Sequence, residues 1–311
     1  MTVSVCMGIY SGEKYIEKQL QTILDQSRQA DEVILCDDGS TDATVDIVEK
    51  FIQCNGLQDT WKLCKNEVNK GYPGNFYYAM GLCSGDVVFL ADQDDVWDVD
   101  KIKNMMRIME RDQSIELLAS RWGIIDENGQ VLKEVSRGKC GGTDTLECIG
   151  IRDILYCYDW PGMCMCYRKI LGESVLKCVK DSKLPHDVAL GLAAAEANAF
   201  YCVDQRNQFH RRHGANVAEE EHRVHKLLNR NRKIHEIEKY LQMLQEILDS
   251  RVLMCKNDNL MIENKKNIMQ ERLDNLKAGR PLKMIKQYAK HRQEVRVATL
   301  ICDLVICRQK V

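Results

Sequence analysis

The first hundred residues alternate between short apolar, β-branched runs and segments of helical periodicity, and this alternation limits the possible folds more than any other feature. The strands are predicted at residues 3–7, 32–36, 61–65 and 86–91, and the helices between them at 13–26, 41–53 and 75–83. The fourth run is apolar almost throughout, as expected for a strand buried on both faces of a parallel sheet. The pattern therefore predicts an α/β fold with a doubly wound sheet.

Three of the four predicted strands end in a polar cluster. The clusters are Tyr10-Ser11-Gly12-Glu13 after the first strand, Asp37-Asp38-Gly39-Ser40-Thr41-Asp42 after the second, and Asp92-Gln93-Asp94-Asp95 after the fourth. In doubly wound sheets, ligands bind outside the carboxyl ends of the strands. We therefore expect the three clusters to share one edge of the sheet and to form the active site.

The acidic residues of these clusters suggest two kinds of contact. Asp92 and Asp94 have the Asp-x-Asp spacing that can direct two carboxylates at one divalent cation, and Mg²⁺ or Mn²⁺ would share its shell with substrate phosphates. A capping or turn role explains the same two residues about equally well. Asp37 and Asp38 can accept hydrogen bonds from a base or a ribose, and adjacent like charges cost energy unless something binds them.

Four further motifs occur between residues 69 and 216. They are Asn69-Lys70-Gly71 with Asn75, the strand-like Gly162-Met163-Cys164-Met165-Cys166-Tyr167-Arg168, Pro185-His186-Asp187, and His210-Arg211-Arg212-His213-Gly214-Ala215-Asn216. Together with the three acidic and polar clusters, this series resembles the family 2 glycosyltransferases of the GT-A fold. The resemblance is strongest to the rhamnosyltransferase-like enzymes of bacterial cell-surface polysaccharide synthesis.

The resemblance implies an inverting transfer of a sugar from a nucleotide-diphosphate donor to a hydroxyl of a glycan or lipid-linked acceptor. Asp187 would be the general base that deprotonates the acceptor. Asp94, with Asp92 and His213, would bind the divalent cation, Mg²⁺ or Mn²⁺. The donor, a UDP- or dTDP-sugar, would contact Tyr10, Asp37, Asp38, Gly71, Asn75, Asp92, Arg211 and Arg212.

Two departures from the family pattern concern the acceptor side. His210 stands where a tyrosine is usual, and Val188 stands where a tryptophan is common. Tyr77, Tyr78, Trp97, Trp122 and Trp160 could stack on a sugar or fill the core. A core role is favoured for most of them, and Trp97 and Trp160 are the better candidates for sugar contact.

The last third of the chain has a different composition. We predict a GT-A domain over residues 1–217, with a glycine-rich mobile loop at 138–142, and a helical, basic extension over 218–311. Residues 265–311 contain twelve Lys and Arg against four Asp and Glu. Basic amphipathic helices commonly lie on anionic membranes. Packing on the domain or on another subunit explains the pattern as well, so peripheral membrane contact and a homo-oligomer both stay open.

Composition and charge exclude some classes of function and indicate the compartment. A formal net charge of −2 excludes a globally basic nucleic-acid binder. The fifteen cysteines are scattered and often lie in apolar runs, so they are interpreted as free thiols of a reducing compartment. The chain has no basic, apolar leader and no run of eighteen apolar residues, so neither a signal peptide nor a membrane span is expected. These features predict a cytoplasmic protein, with any membrane contact at the inner face.

Two other functions fit parts of the pattern. A nucleotidyltransferase would share the sheet and the carboxylates, but it usually needs a glycine-rich basic loop after the first strand, where this chain has Tyr10-Ser11-Gly12-Glu13-Lys14. A non-catalytic nucleotide-sugar or glycan-binding protein on the same fold would be expected to lose the metal ligands or the base. Asp92, Asp94 and Asp187 are all present.

Overall fold

The computed structural model describes residues 1–135, 141–157, 159–179, 182–214, 229–292 and 297–307. Most of the predicted loop at 138–142 and the predicted start of the C-terminal helix lie outside these residues. The chain divides into two compact units, Met1–Ala215 and Asn216–Val311. In its described part the first unit contains the sheet, and the second is built of helices.

The first unit contains ten strands and seven helices within its described residues. The strands are β1 Val3–Ile9, β2 Glu32–Asp37, β3 Trp61–Lys65, β4 Val87–Ala91, β5 Val96–Trp97, β6 Leu117–Ile125, β7 Val131–Lys133, β8 Leu146–Cys148, β9 Met165–Arg168 and β10 Phe200–Arg211. The helices are α1 Ile16–Leu24, α2 Thr44–Cys54, α3 Gly71–Leu82, α4 Lys101–Arg111, α5 Ile151–Cys157, α6 Lys169–Cys178 and α7 His186–Glu196.

The strands form one mixed sheet in the order β3-β2-β1-β4-β9-β6-β10-β5, with β7 beside β6 and β8 beside β10. The half that contains β3, β2, β1 and β4 is parallel, as the alternation predicts. The other half is mixed, because β9 runs antiparallel to β4 and β6, and β5 runs antiparallel to β10. The predicted doubly wound mixed sheet is therefore confirmed.

Two predicted boundaries in the second half of the sheet are wrong. The strand predicted at 162–167 begins with a single 3-10 turn, Gly162–Cys164, and only then becomes β9. The sequence pattern in this region predicts two strands, at 199–203 and 208–212, and the structure has one continuous strand, β10. The polar residues between Val203 and Gln208 interrupt the apolar pattern, but the register with β6 shifts there and the strand continues.

The core forms where the helices cover the sheet. Helix α1 presents Ile16, Leu20 and Ile23 to the sheet at helical spacing, and each is buried. Nearly every residue of β1 and β4 is buried too, as expected for central parallel strands. Thirteen of the cysteines are seen as free thiols, and the six of these that are buried pack as small apolar residues.

Lys101, the first residue of α4, is a fully buried charge within this core. Burial lowers the pKa of Lys101 to about 7. Its ammonium donates a 2.6 Å hydrogen bond to the carbonyl oxygen of Met163 and lies 3.8 Å from the centre of the Trp97 ring. Lys101 thereby connects α4 and β5 to the 3-10 turn that precedes β9.

His186, the first residue of α7, is also a buried titratable group. Its ring stacks on Phe76 of α3 with centroids 3.9 Å apart and planes 13° apart. Neither ring nitrogen has a hydrogen-bond partner among the described residues. Burial lowers the pKa of His186 to about 4, so the ring is neutral at neutral pH.

The second unit contains α8 Arg230–Ser250, α9 Lys256–Lys277, α10 Pro281–Lys290 and α11 Val297–Cys307 in its described part. The guanidinium of Arg230 donates to the carbonyl oxygen of Leu276, so the start of α8 caps the end of α9. Arg272 forms a buried two-bond ion pair with Asp303 of α11. Among the described residues, no helix is both long enough and apolar enough to cross a membrane.

We expect Gly123→Ala to destabilise the first unit. Gly123 of β6 faces Phe209 of β10, and an added Cβ would lie 2.8 Å from the carbonyl oxygen of Glu134 and closer still to the Phe209 ring. Overpacking of this kind should cost about 1–3 kcal/mol of unfolding free energy, measured by urea denaturation. Gly81→Ala in α3 is the control, because its Cβ would meet only Leu176, at 3.8 Å. Equal stability of the two variants would contradict the packing argument.

His186→Leu should remove a source of acid sensitivity. The folded pKa of about 4 lies below the ordinary 6.5, so the unfolded chain binds a proton that the folded chain excludes. The stability contributed by the neutral ring is fully present above pH about 6.5 and is lost as the pH falls through 4. The stability of His186→Leu relative to the unmodified chain should therefore rise by up to about 3 kcal/mol between pH 7 and 4.

The matched control for this measurement is His235→Leu, which changes an exposed histidine of α8. Urea denaturation of all three proteins across this pH range gives the comparison. The difference between His235→Leu and the unmodified chain should stay nearly constant. A His186→Leu difference that also stays constant would show that the buried ring does not titrate as described.

Candidate active site

The loop from Asp92 to Asp95, which we call the acidic loop, leaves β4 and is held by the end of β10. Asp95 accepts hydrogen bonds from the backbone N–H of Arg211 at 3.1 Å and makes a 3.0 Å contact with Nδ1 of His210. The Nε of Arg211 donates to the carbonyl oxygen of Asp94 at 2.9 Å. Because β10 runs antiparallel to β5, its last residues come back directly over the acidic loop.

Asp94 and His213 meet at one point beside this loop. The Oδ2 of Asp94 lies 2.7 Å from Nε2 of His213, and the His213 ring packs on Tyr15 with centroids 4.7 Å apart. Both side chains are largely but not fully buried. A carboxylate oxygen and an imidazole nitrogen thus lie side by side at a partly exposed point of the site, as two ligands of one cation would.

The acidic loop concentrates negative charge. Burial and then the charges of Asp95 and Asp94 raise the pKa of Asp92 well above its usual range. Burial and Asp95 also raise the pKa of Asp94, against the opposing hydrogen bond from His213. Burial would lower the pKa of His210, but the charge and hydrogen bond of Asp95 outweigh it and raise that pKa to about 9. Additional positive charge at this loop would be stabilising.

The donor set fits a cation that shares its shell with phosphate. Mg²⁺ is usually held by one or two side chains together with substrate phosphates and water. Asp94 and His213 supply such a partial set. In the part of the chain that the structure describes, no three His, Cys, Asp or Glu side chains gather into a complete metal site. This partial set is compatible with further ligands from a diphosphate and water.

Asp187 lies in the first turn of α7 and is buried. One carboxylate oxygen accepts the backbone N–H of Gly162 at 3.2 Å, and the other accepts that of Val188 at 2.8 Å. These two bonds fix the orientation of the carboxylate. The charge of Asp187 is one of the causes that raise the pKa of Asp92, so the two carboxylates lie within electrostatic range of each other.

Asp37 and Asp38 lie side by side at the end of β2, and each is satisfied within the protein. Asp37 accepts the backbone N–H groups of Gly39 and Ser40, both at 3.1 Å, which makes a local turn around its carboxylate. Asp38 points to the segment before α3. Internal hydrogen bonds thus offset both charges, and a ligand is not required to explain the pair. Their contact with a nucleoside stays a prediction.

Gly71 and Asn75 belong to the network around Asp38. Asp38 accepts the backbone N–H of Lys70 at 2.7 Å and that of Gly71 at 2.9 Å. Gly71 has a φ of +73°, a conformation in which a side chain would be strained. Asn75 donates to the carbonyl oxygen of Cys36 at 2.8 Å. Both residues shape the loop beside the end of β2, and direct donor contact by either stays a prediction.

Tyr10 follows β1 and is the most open of the predicted donor residues, with 54% of its surface exposed. Its backbone N–H and carbonyl exchange two 2.9 Å hydrogen bonds with the side-chain amide of Gln93. This double contact ties the loop after β1 to the acidic loop, while the Tyr10 ring stays available for stacking. Gln93 was not among the predicted site residues.

The two predicted arginines differ in position. The guanidinium of Arg211 is buried below the acidic loop, where it also donates to the carbonyl oxygens of Asp126 and Glu127 at 3.3 Å. Arg212 is half-buried, and burial lowers its pKa. Arg211 therefore supports the loop from within the protein, and donor contact by either arginine stays a prediction.

The expectation that Trp97 and Trp160 stack on a sugar is wrong, because both are core residues. Trp97 is 3% exposed and carries the Lys101 ammonium on its ring. Trp160 is 6% exposed and packs edge-on against Phe200, with centroids 5.7 Å apart. Neither ring has a face open to a ligand.

Tyr72 is an open aromatic residue that the sequence analysis missed. Its side chain is 40% exposed and packs edge-on against Phe76 and His186, with centroids 5.6 and 5.5 Å apart. The ring is partly exposed, but burial of its hydroxyl raises the pKa of Tyr72 well above its usual range. The charges of Asp187 and Asp92 raise it further. Tyr72 thus lies near both carboxylates. Only its neighbour Gly71 belongs to a recognisable motif, which is why the pattern gave no indication of it.

A family model described as Glycosyl transferase family 2 matches residues 4–172 of the chain. EpsE of Bacillus subtilis, named as a glycosyltransferase, is 30% identical over 127 residues, which cover 41% of this chain and 45% of EpsE. WfaP of Escherichia coli, a UDP-Glc:alpha-D-GlcNAc-diphosphoundecaprenol beta-1,3-glucosyltransferase, is 32% identical over 36% of this chain and 42% of its own length. The dTDP-rhamnosyl transferase RfbG of Shigella flexneri is 38% identical over 32% and 35%.

Solved structures share the fold over nearly the whole chain. TarS of S. aureus in complex with UDP-GlcNAc superposes with a TM-score of 0.58 at 20% identity and covers 99% of this chain and 90% of that one. The mannosyltransferase PcManGT of Pyrobaculum calidifontis, with GDP-Man and Mn²⁺, gives a TM-score of 0.56 at 14% identity and covers 98% and 85%.

The matches to the curated relatives are partial. They cover between 35% and 45% of the length of the three relatives compared. The family model, in contrast, spans more than half of this chain and includes the ends of β1, β2 and β4 with the acidic loop. The resemblance drawn from the motifs is confirmed, and the chain belongs to glycosyl transferase family 2, on a GT-A fold.

Proposed function

We propose that this chain is an inverting glycosyltransferase that moves a sugar from a nucleotide-diphosphate donor to a hydroxyl of a glycan or lipid-linked acceptor, in cell-surface polysaccharide synthesis. The observation that carries the proposal is that the oriented carboxylate of Asp187 lies within electrostatic range of the acidic loop that bears the Asp94–His213 pair. A base and a diphosphate site must be neighbours for in-line transfer. The relatives that transfer glucose and rhamnose support the donor and acceptor classes.

Asp187 is the proposed general base. Its carboxylate takes the proton of the acceptor hydroxyl while the acceptor oxygen bonds to the anomeric carbon. The bond from that carbon to the diphosphate oxygen breaks, and its electron pair leaves with the diphosphate. Attack on the face opposite the leaving group inverts the configuration. The hydrogen bonds from Gly162 and Val188 hold the carboxylate in place for this step.

Asp94 and His213 are the proposed side-chain ligands of Mg²⁺ or Mn²⁺, with Asp92 nearby. A bound cation supplies positive charge against the departing diphosphate. The pair already places one oxygen and one nitrogen 2.7 Å apart, and the Mn²⁺ bound by the Pyrobaculum mannosyltransferase supports this type of cofactor on the fold. His210, protonated through its contact with Asp95, adds a fixed positive charge to the same loop.

The donor is proposed to lie along the carboxyl ends of β1, β2 and β4. The exposed Tyr10 ring can stack on a pyrimidine base, and the Asp37–Asp38 turn with Gly71 and Asn75 forms the wall of that end. Asp92, Arg211 and Arg212 complete the proposed donor set. At the other end, Tyr72 lies near Asp92 and Asp187 and can line the sugar pocket. A UDP- or dTDP-sugar fits the nucleotides named for the relatives.

Asp187→Asn should abolish turnover and leave donor binding intact, because the amide has the shape of the carboxylate but cannot take a proton. We expect a loss of at least about 100-fold in the release of UDP or dTDP from UDP-glucose or dTDP-rhamnose. The acceptor offered is diphosphoundecaprenol-linked N-acetylglucosamine, and titration calorimetry with UDP measures donor-site binding. Asp46→Asn, which changes an exposed carboxylate of α2, is the control.

The Asp187 test separates the enzyme from a non-catalytic binding protein. Turnover in the unmodified chain that survives Asp187→Asn would contradict the assigned base. Nucleotide binding without turnover in either protein, across the UDP- and dTDP-sugars, would favour the binding protein instead.

Asp94→Asn should remove the cation-dependent part of nucleotide binding. In the unmodified chain, UDP or dTDP with MnCl₂ should raise the melting temperature more than the two added separately, since a ligand at 100 times its Kd stabilises by about 2.7 kcal/mol. The variant should keep only the shift seen with nucleotide alone. Asp46→Asn should behave as the unmodified chain, and an Mn²⁺-dependent shift retained in Asp94→Asn would contradict the metal assignment.

A further inference from the structure

Helix α10 has three distinct faces. Met284 and Gln287 are buried, and the Gln287 amide donates to the carbonyl oxygen of Ile268 in α9 at 2.8 Å, which fixes the inner face. Leu282, Ile285 and Ala289, at helical spacing, form an exposed apolar face, with Leu282 74% and Ile285 45% exposed. Lys283, Lys286 and Lys290 have the same spacing and form an exposed basic face. The apolar and basic rows run side by side along the helix.

Helix α11 also exposes an apolar face. Val297, Ile301 and Val305 follow one another at four-residue intervals, and all three are exposed. The single charge of α11, Asp303, lies on the inner side, where Arg272 pairs with it at 2.7 and 2.8 Å. The outer face of α11 therefore has no charged side chain of its own within the described residues.

The cations next to these apolar faces have no acidic partner within the described part of the chain. They are Arg280, Lys283, Lys286, Lys290 and Arg292, and all are exposed. Lysines elsewhere in the same unit do have partners, such as Lys277 with Glu238 and Lys233 with Glu236. Five exposed cations without an acidic partner thus lie along, or directly beside, the helix that also exposes a large apolar row.

We propose that the exposed faces of α10 and α11, which we call the basic-apolar surface, bind the surface of an anionic lipid bilayer. Apolar side chains of an interfacial helix enter the boundary between headgroups and acyl chains, while lysines beside them meet the anionic headgroups. The parallel rows of α10 provide both contacts at once. An anionic bilayer offers negative headgroups to the unpaired lysines and an acyl boundary to the exposed apolar side chains. It therefore complements both features of the surface.

A second copy of the chain fits the surface less well. In a two-fold contact the same patch appears on both partners, so the lysine rows of both copies would be brought into one interface. The described residues of the patch contain no exposed acid to offset this repulsion. The bilayer proposal does not depend on the proposed sugar transfer, because lipid binding needs neither donor nor acceptor.

Cosedimentation of the full chain with vesicles tests the proposal. The probes are vesicles of phosphatidylcholine alone and of phosphatidylcholine with one-third phosphatidylglycerol. We expect binding to the anionic vesicles only, with partitioning that falls as salt is added. Lys283→Gln/Lys286→Gln/Lys290→Gln should weaken partitioning by roughly 100-fold. The control Lys18→Gln/Lys50→Gln/Lys62→Gln removes the same charge from exposed positions of the first unit and should bind as the unmodified chain does.

Leu282→Ser/Ile285→Ser tests the apolar contribution separately and should weaken binding while the salt dependence remains. Circular dichroism melting confirms that each variant is folded, and the salt titration of the unmodified chain tests the charge contribution without any substitution. Equal loss of binding in the two lysine triples, or equal binding to the two kinds of vesicle, would overturn the proposal. Absence of binding to either kind of vesicle would also overturn it. If, in addition, Leu282→Ser/Ile285→Ser changed the oligomeric state measured by sedimentation velocity, the surface would be a contact between copies of the chain.

Discussion

The contact between the acidic loop and the end of β10 is the interaction on which the candidate site depends. Three aspartates follow a buried strand within four residues, and burial together with the charge of Asp95 raises the pKa values of Asp92 and Asp94. The end of β10 returns antiparallel to β5 and places His210, Arg211 and His213 against them. Since His210 is protonated and Arg211 supports the loop from below, part of the negative charge is offset within the protein. The rest remains available for a cation.

The mixed half of the sheet contributes the groups that face the acidic loop. The parallel half brings the ends of β1, β2 and β4 to one edge. A short path leads from the mixed half to the proposed base: Lys101 beside β5 holds the carbonyl of Met163, and the neighbouring Gly162 donates to Asp187. The acidic loop and the proposed base are therefore connected through the core. A shift of Lys101 would displace the 3-10 turn and, with it, the orientation of Asp187.

The parallel half of the sheet could be predicted from the sequence because its signal is local. Strands β1 to β4 and the helices between them follow periodicity, and their ends carry the polar clusters. The strand boundaries of the mixed half could not be predicted correctly. Strand β10 continues through a polar stretch only because it pairs with β6, which lies far away in sequence. The sugar-stacking role expected of Trp97 failed for a similar reason, since its burial depends on Lys101 and the core. Tyr72 acquires its position from the packing of Phe76 and His186.

A net charge of −2 conceals a separation of charge along the chain. The twelve Lys and Arg among residues 265–311, against four acids, mean that the preceding residues are distinctly acidic. Each region is suited to phosphate in a different way. The acidic loop would repel a diphosphate unless a cation lay between them, so the proposed donor site favours binding together with a metal ion. The lysines of α10 attract phosphate as point charges on flexible side chains and impose no fixed binding geometry. They therefore suit a surface of many headgroups better than a single substrate. Opposite local charges thus suit the two regions to the two proposed ligands, a nucleotide diphosphate with its cation and an anionic surface.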